Sequence, residues 1–311
     1  MSTLRMDRRA FLSWSTSSLT GALLWMLGCR ERSGITVGSK NFTEQLLLGE
    51  LLAQLLENAG LGPVDRRFYL AGTYICQQAI LAGRIDMYVE YTGTALAAVL
   101  KEKPSSNPDR VFDKVKSEYA QRFGLEVMPP LGFDNSFAIV MRGDDARKAG
   151  VRTLSDLARI APQLRMGVGY EFLERPDGYK GLVKTYGLNF AEAPRVMDLG
   201  LLYRALESHQ VDVAVGSNTD GLIAALGLVV LEDDRHYFPP YEAVPIVRRE
   251  TLEKYPTVRQ VFLRLKGRIS ADDMRHLNYA VDGKKKDAAA VVKEFIASRL
   301  SGLEPGQQQQ H

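Results

Sequence analysis

From residue 34 onward, short runs of β-branched residues alternate with amphipathic helical stretches, and this alternation constrains the fold more than any other feature of the sequence. A strand at 35–38 precedes a helix at 43–58, whose leucines recur at a spacing near 3.6 residues. A second strand at 64–70, a helix ending near Gly83 and a third strand at 85–90 repeat the arrangement. Successive βα units of this kind predict an α/β fold.

The pattern continues through the second half of the chain. Further strands are predicted at 133–142, 165–169, 211–215, 228–231 and 244–247, and further helices at 250–255, 257–267, 271–279 and 285–300. The block QAILAGRIDM at 78–87 parallels RALESHQVDV at 204–213, since each ends a helix, turns and opens a strand with Ile or Val followed by Asp. Two lobes of similar construction would produce this match.

Composition excludes several classes of protein. With 311 residues, 45% hydrophobic and 25% charged, the chain is long enough for two domains and is neither fibrous nor disordered. Lys and Arg exceed Asp and Glu by only 40 to 37, which argues against a nucleic-acid surface. The two cysteines, Cys29 and Cys76, allow neither a disulfide framework nor a CxxC metal site.

The N-terminal segment has the form of an export signal. Arg5, Arg8 and Arg9 precede an uncharged stretch at 10–28. RRAFL at 8–12 resembles the twin-arginine motif, and LGC at 27–29 resembles the end of a bacterial lipoprotein signal. We therefore predict a signal over 1–29, with lipidation of Cys29 and cleavage without lipidation both open. An uncleaved anchor is disfavoured by six Ser and Thr residues within the stretch.

No pattern typical of catalysis occurs. The four histidines stand in no HExxH context, and no GxSxG elbow, Walker loop or dinucleotide fingerprint is present. We expect a protein that is not an enzyme and that uses no cofactor and no metal.

Nine sequence blocks, in order, carry a resemblance to a known family. They are GSKNFTEQ at 38–45, AGT at 71–73, DMYVEYTGTAL at 86–96, DNSFAIVMR at 134–142, EFLERPDGYKGL at 171–182, TDG at 219–221, LVVLEDD at 228–234, FPPYEA at 238–243 and LNYAVDG at 277–283. The chain resembles the substrate-binding proteins of glycine betaine, choline and carnitine (osmoprotectant) ABC importers.

The resemblance implies a two-lobed periplasmic-binding-protein fold of type II-like form, which closes on its ligand by hinge bending. We expect a first lobe at 34–136 and 243–302, a second lobe at 137–242 and a flexible tail at 303–311. The implied partners are the solute and the transmembrane permease subunit. The implied location is periplasmic or extracytoplasmic, with a lipid anchor as the one membrane attachment.

A quaternary ammonium has no N–H to donate, so it is held by the faces of aromatic rings. The family's cage tyrosines correspond to Tyr91 and Tyr241, and a third corresponds to Phe137, which keeps the ring but lacks the hydroxyl. A fourth falls on Ser217, where no ring remains, and Tyr74 is a candidate replacement.

The contacts that the family makes with an anionic group correspond to Lys40, Thr94 and Arg175, which favours a zwitterion or carboxylate over bare choline. The polar pair Ser217 and Asn218 leaves room for a larger betaine such as carnitine, ergothioneine or proline betaine. Two alternatives stay open: the same fold binding an amino-acid-like solute without a quaternary nitrogen, and an extracytoplasmic enzyme that reuses the fold.

Overall fold

The computed structural model describes residues 34–103 and 105–301. Three features predicted from the sequence lie outside these described residues: the export signal at 1–29, its Cys29, and the tail at 303–311. Within the described ranges, no helix combines the length and the apolar character that crossing a membrane requires.

The first half of the described chain alternates strands and helices. Its elements are β1 (Thr36–Gly38), α1 (Thr43–Asn58), β2 (Asp65–Arg67), α2 (Thr73–Leu81), β3 (Met87–Tyr91), α3 (Thr92–Thr94), a π-helical turn (Ala95–Val99), α4 (Pro108–Phe123) and β4 (Leu125–Val127).

The second half repeats the alternation and then becomes helical. Its elements are β5 (Phe137–Arg142), α5 (Gly143–Ala149), α6 (Leu154–Ile160), a 3₁₀ turn (Ala161–Gln163), β6 (Met166–Val168), α7 (Tyr170–Glu174), α8 (Tyr179–Tyr186), β7 (Arg195–Val196), α9 (Leu199–Glu207), β8 (Val213–Ser217), α10 (Leu222–Ala225), β9 (Leu228–Val230), β10 (Ala243–Arg248), α11 (Arg249–Lys254), α12 (Pro256–Leu265), α13 (Ala271–Asp282) and α14 (Ala288–Arg299).

The strands form two five-stranded sheets of matching design. The first has the order β2-β1-β3-β10-β4 and the second β7-β6-β8-β5-β9. In each sheet four strands run in the same direction, and one strand, β10 or β5, is antiparallel to both of its neighbours and lies beside the central strand. The α/β class predicted from the sequence is confirmed. We call the parts of the chain built on these sheets the first lobe and the second lobe.

The helix α1 anchors the core of the first lobe. Leu47, Leu48, Leu52 and Leu56 lie on its buried face, as the leucine spacing predicts. The C-terminal helices pack against the same cluster through side chains such as Phe262 and Phe295. The end of the chain therefore completes the first lobe, and its helices hold α1 in place at the site described below.

The two chain segments that connect the lobes run side by side. Asp134 and Glu242 form an antiparallel bridge, and Asn135 N donates to Tyr241 O at 3.0 Å. Ala243 N donates to Phe133 O at 3.1 Å. Because both crossings are short and bonded to one another, the lobes are joined by a narrow connection, which is the form a hinge requires.

Two predictions of detail differ from the structure. The strand expected at 64–70 is limited to Asp65–Arg67, since Tyr69 and Ala71 adopt positive φ angles of 63° and 91° that end the extended run. The helix α4 lies in a stretch for which the βα alternation predicts no element. Its single buried stripe, Val111, Val115 and Tyr119, is too narrow to stand out among charged residues.

Candidate functional site

Tyr91 and Tyr241 lie at the same end of two adjacent strands. Tyr91 ends β3 and is paired with Ala243 of β10, and Tyr241 comes two residues before Ala243. After Tyr91 the chain turns at once into α3, where Gly93 lets the Tyr241 ring approach the backbone. A Cβ at position 93 would lie 2.8 Å from Tyr241 Cδ1 and 2.6 Å from Pro240 O. The glycine of the YTGT block thus positions a tyrosine from a distant part of the chain.

An aromatic cluster surrounds Tyr241. The Phe137 ring centroid lies 5.6 Å from that of Tyr241, 4.9 Å from that of Phe172 and 5.6 Å from that of Phe238, with edge-to-face or tilted geometry. Phe137 begins β5 of the second sheet, whereas Tyr241 lies on a crossing segment. These four residues bring rings from the second lobe and the hinge together, as a cage for a cation requires.

Arg175 lies against this cluster and is paired with a carboxylate of its own loop. Its Nε and Nη2 donate to Asp177 at 2.9 and 2.5 Å, and both residues are almost fully buried. Its guanidinium carbon is 4.9 Å from the Phe137 ring centroid and 5.9 Å from that of Tyr241. Burial lowers the pKa of Arg175, but the Asp177 charge outweighs it and the net shift is upward.

The same arginine contacts the first lobe. Arg175 Nη2 donates to Thr94 Oγ1 at 3.0 Å, and Tyr241 OH donates to Asp177 Oδ2 at 2.7 Å. Burial and then the Asp177 charge raise the pKa of Tyr241 well above its ordinary value, so the phenol keeps its proton. The structure therefore brings Thr94, Phe137, Arg175 and Tyr241 into one group.

Lys40 lies beside Tyr91. Its Nζ is 5.0 Å from the Tyr91 ring centroid and donates to Glu90. Both Lys40 and Glu90 are buried, so the pair is shielded from solvent. The cation of Lys40, like that of Arg175, already has a carboxylate partner within the chain.

Glu44, in the first turn of α1, is the most heavily bonded side chain of the site. Its carboxylate accepts from Tyr91 OH at 2.6 Å and Thr219 Oγ1 at 2.5 Å, and also from two amides, Asn135 Nδ2 at 2.6 Å and Asn278 Nδ2 at 3.2 Å. Burial raises the pKa of Glu44, and the four donors oppose that effect only in part, so the net shift is upward. Thr219 follows β8, so this carboxylate joins the two lobes.

Ser217 lies beside the aromatic cluster and Tyr74 lies apart from it. Ser217 is directly opposite Phe137 in the β5–β8 pair, and residues opposite one another project from the same face of a sheet. The Tyr74 ring is 5.1 Å from Lys101 Nζ, and in the described part of the chain no ring contact joins it to the cluster. Tyr74 N instead contacts Glu171 Oε1 of the second lobe at 3.4 Å, at the rim where the lobes meet.

The site presents groups that can bind a ligand. It offers aromatic faces, two cations that are already paired with carboxylates, and the buried carboxyl group of Glu44. Among residues 34–103 and 105–301, no group of three or more His, Cys, Asp or Glu could hold a metal ion.

Several residues of the site were not predicted from the sequence. They are Glu44, Glu90, Asn135, Phe172, Asp177, Thr219, Phe238 and Asn278. All except Asn278 lie inside or beside a block that supplied a predicted residue, for instance Glu44 in GSKNFTEQ and Asp177 in ERPDG. Proximity in the sequence to a predicted residue was the available signal, and the pairing of each charge needed the fold.

Residues 33–298 match the OpuAC family model, described as the substrate-binding domain of ABC-type glycine betaine transport systems. A carnitine transport binding protein, OpuCC of Listeria monocytogenes, is 35% identical over 284 residues, which cover 91% of this chain and 90% of that protein. An ergothioneine transport permease/ergothioneine binding protein, EgtU of Helicobacter pylori, is also 35% identical over 281 residues, or 89% of this chain. The chain spans about half the length of that relative, since the match covers 50% of it.

A solved structure supports the same relationship. A crystal structure described as a glycine betaine/carnitine/choline ABC transporter superposes with a TM-score of 0.70 at 33% identity, covering 85% of this chain and 97% of that one. Such structural neighbours are two-lobed periplasmic binding proteins, which confirms the predicted fold.

Proposed function

The chain belongs to the OpuAC family of substrate-binding domains of ABC-type glycine betaine transport systems, and on this basis we propose that it is the solute receptor of an ABC importer. It binds a quaternary-ammonium compound or a related zwitterion between its lobes and delivers it to the permease, without changing it chemically. Relatives named for carnitine and ergothioneine binding support a betaine larger than glycine betaine among the candidates.

The observation that carries this proposal is the aromatic cluster of Phe137, Phe172, Phe238 and Tyr241, with Tyr91 at the end of the adjacent strand β3. Tyr91, Phe137 and Tyr241 present rings from the first lobe, the second lobe and the hinge. A cation held by such rings gains about 0.5–2 kcal/mol per ring. Because the rings come from separate parts of the fold, the ligand is enclosed when the lobes close.

The carboxylate of a zwitterion would be held by Thr94, Lys40 and Arg175. Arg175 donates from Nε to Asp177 and from Nη2 to both Asp177 and Thr94. Its remaining nitrogen, Nη1, donates to no residue of the described chain. Nη1 is therefore the guanidinium group that we assign to the ligand. Ser217 lies beside Phe137, whereas Tyr74 lies apart from the aromatic cluster, where it contacts Glu171 at the rim.

Closure follows from the domain division. We propose that 34–136 with 243–302 moves against 137–242 about the crossings at Asn135 and Tyr241, which are bonded to each other. We also propose that residues 1–29 direct export to the extracytoplasmic side and that Cys29 carries a lipid anchor.

A second candidate ligand is an amino-acid-like solute with N–H donors. The buried side-chain oxygens of Asn135 and Asn278 have no hydrogen-bond partner within 34–103 and 105–301, and both residues adjoin Glu44. An ammonium group with N–H could donate to these oxygens, whereas a quaternary nitrogen could not. Competition between betaines and amino acids for the site separates the two candidates.

The experiment that tests the proposal removes one ring at a time. Phe137→Ala and Tyr241→Ala should each weaken the binding of the best quaternary-ammonium ligand by about tenfold or more, as measured by titration calorimetry. Phe190→Ala is the matched control, because Phe190 packs in the second lobe on Tyr179 and outside the aromatic cluster. Unchanged affinity in folded Phe137→Ala and Tyr241→Ala proteins would refute the cage.

A further inference from the structure

Glu44 differs from the other buried carboxylates of the site, Glu90 and Asp177, in having no cationic partner among the described residues. Glu90 is paired with Lys40, and Asp177 with Arg175. Glu44 is 2% exposed, and its hydrogen-bond partners in the described chain are the neutral side chains of Tyr91, Asn135, Thr219 and Asn278. Burying an ionised carboxylate without a counter-charge lowers the stability of the folded state. A ligand that brings a positive charge to this site would therefore be stabilised by Glu44.

The hydrogen bonds around Glu44 favour its ionised form. A carboxylate accepts at both oxygens, and here each oxygen receives two donors. Glu44 also lies in the first turn of a sixteen-residue helix, where the helix dipole stabilises negative charge. Residues from four segments are thus arranged to hold an anion at this point.

Three of those donors connect the charge to ligand binding. The Tyr91 hydroxyl donates to Glu44 Oε1, and a phenol polarised by a carboxylate carries more negative charge on its ring. A more negative ring face attracts a cation more strongly. Thr219 brings the second lobe to the same carboxylate, and Asn135 brings the hinge.

We propose that Glu44 is the charge-selecting residue of this ligand site. Acting through Tyr91 and by its own field, it makes the cleft bind a positively charged head group in preference to a neutral group of the same shape, and through Thr219 it ties that choice to closure of the lobes. This inference rests on the proposed function, since it concerns the same site.

Glu44→Gln removes the charge with little change of shape. The glutamine oxygen can still accept from Tyr91 and Asn135. Its amide can donate to Thr219 Oγ1, and Asn278 Nδ2 keeps its bond to Thr219 O. Glu50→Gln is the control, because Glu50 is a buried carboxylate on the same helix that is paired with Arg66 outside the site.

The probes are two ligands and their carbon analogues, in which C replaces N⁺. Choline is compared with 3,3-dimethylbutan-1-ol, and glycine betaine with 3,3-dimethylbutanoate, by calorimetry and by ligand-observed NMR with the full-length protein. Glu44→Gln should lower the affinity for the charged ligand that the wild-type protein binds by about tenfold. It should change the affinity for the carbon analogue of that ligand by less than about twofold. Glu50→Gln should leave both affinities within about twofold of wild type.

A double-mutant cycle with Tyr91→Phe tests whether Glu44 acts on the ligand through the Tyr91 hydroxyl. It separates that effect from a general disturbance of the site by the substitution. Removing the hydroxyl should reduce the effect of Glu44→Gln on the affinity for the charged ligand. The loss of binding free energy in the double variant should therefore be smaller than the sum of the losses in the two single variants. Additive losses would overturn the route through Tyr91.

Three outcomes decide the proposal. Affinity for the charged ligand within twofold of wild type in folded Glu44→Gln overturns it, and so does an equal loss for the charged ligand and its carbon analogue. If binding of the carbon analogue is undetectable in both the wild-type protein and Glu44→Gln, the proposal is decided by the loss of affinity for the charged ligand and by the double-mutant cycle. A wild-type protein that binds no quaternary-ammonium compound overturns the proposed function and this inference together, whereas normal wild-type binding with an unaffected variant overturns this inference alone.

Discussion

Tyr241 depends for its position on Gly93, in a segment about 150 residues earlier in the sequence. A Cβ at 93 would come within 2.6 Å of a backbone oxygen, which cannot rotate away as a flexible side chain can. The alternation of strands and helices predicts the turn at this point, but the contact that requires glycine becomes visible only in the folded chain.

Gly93→Ala should displace the Tyr241 ring and lower both the free energy of unfolding and the ligand affinity. We expect a loss of stability of about 1–3 kcal/mol, the usual range for overpacking, and a fall in affinity of about tenfold, measured by urea unfolding and calorimetry. Gly200→Ala is the control, because the atom its Cβ would approach within 4 Å is Asp198 Oδ1, on an exposed side chain. Normal affinity in Gly93→Ala would contradict the role of Tyr241.

Ser217→Tyr should restore a ring beside Phe137. The two positions are directly opposite in the sheet and Ser217 is partly exposed, so a larger side chain can extend toward the aromatic cluster. We expect the affinity for glycine betaine to rise by about tenfold, equivalent to about 1.4 kcal/mol, in calorimetric titration. Unchanged or reduced affinity in a folded variant would reject the missing ring as the cause of altered specificity.

At the residue scale, the sequence was enough to predict several side chains that the fold brings together, but not which charges are already paired within the chain. Lys40 and Arg175 were expected to bind an anionic group and therefore to favour a zwitterion. The structure pairs them with Glu90 and Asp177. That pairing depends on buried geometry that neither spacing nor composition encodes, and it weakens the argument for a zwitterion over choline.

At the element scale, the two lobes repeat one structural device. Asp86 accepts from Thr36 N at the start of β1, and Asp212 accepts from Arg165 N at the start of β6. Both aspartates immediately precede the central strand of a sheet at the end of a βα unit. The paired blocks at 78–87 and 204–213 therefore reflect equivalent positions in two similar sheets.

The elements that the sequence predicted well are those with a strong apolar face. The helix at 43–58 has the predicted bounds because its leucines are buried. The helix α4 was missed although local signals were present: Asn107 caps it, Pro108 begins it and Gly124 ends it with a left-handed conformation. A mainly charged helix is thus better predicted from its ends than from its hydrophobic pattern.

Asp220, in the loop that follows β8, should give the protein a pH-dependent stability. Burial raises the pKa of Asp220 to about 6, above the ordinary value of 3.8. The folded protein then binds this proton more tightly than the unfolded chain does, so the free energy of unfolding falls as pH rises from about 4 to about 6 and is unaffected by Asp220 above that range.

Asp220→Asn should remove this dependence. Tyr203 OH and Ser217 N both donate to the same oxygen, Oδ2, so the asparagine oxygen can keep both bonds. Relative to wild type, the variant should gain on the order of 2–3 kcal/mol between pH 4 and pH 7, measured by urea unfolding at each pH. A stability difference that does not change with pH would contradict the assignment.

At the scale of the whole molecule, the site exists only where the lobes meet. Arg175 bonds to Thr94, Thr219 to Glu44, and Glu171 approaches Tyr74, each pair joining one lobe to the other. The sequence predicted the two-lobed fold through its resemblance to a family, whereas composition and periodicity alone reached only the α/β class. The reason is that contacts between lobes join residues far apart in the chain, and no local pattern records them.

The central claim is that this protein binds a quaternary-ammonium solute. The most direct test is a thermal-shift screen of the purified protein against glycine betaine, carnitine, choline, ergothioneine and common amino acids. A ligand present at about 1,000 times its dissociation constant adds about 4 kcal/mol to the free energy of unfolding. We predict stabilisation by at least one quaternary-ammonium compound, whereas a response confined to ordinary amino acids, or no response at all, would contradict the claim.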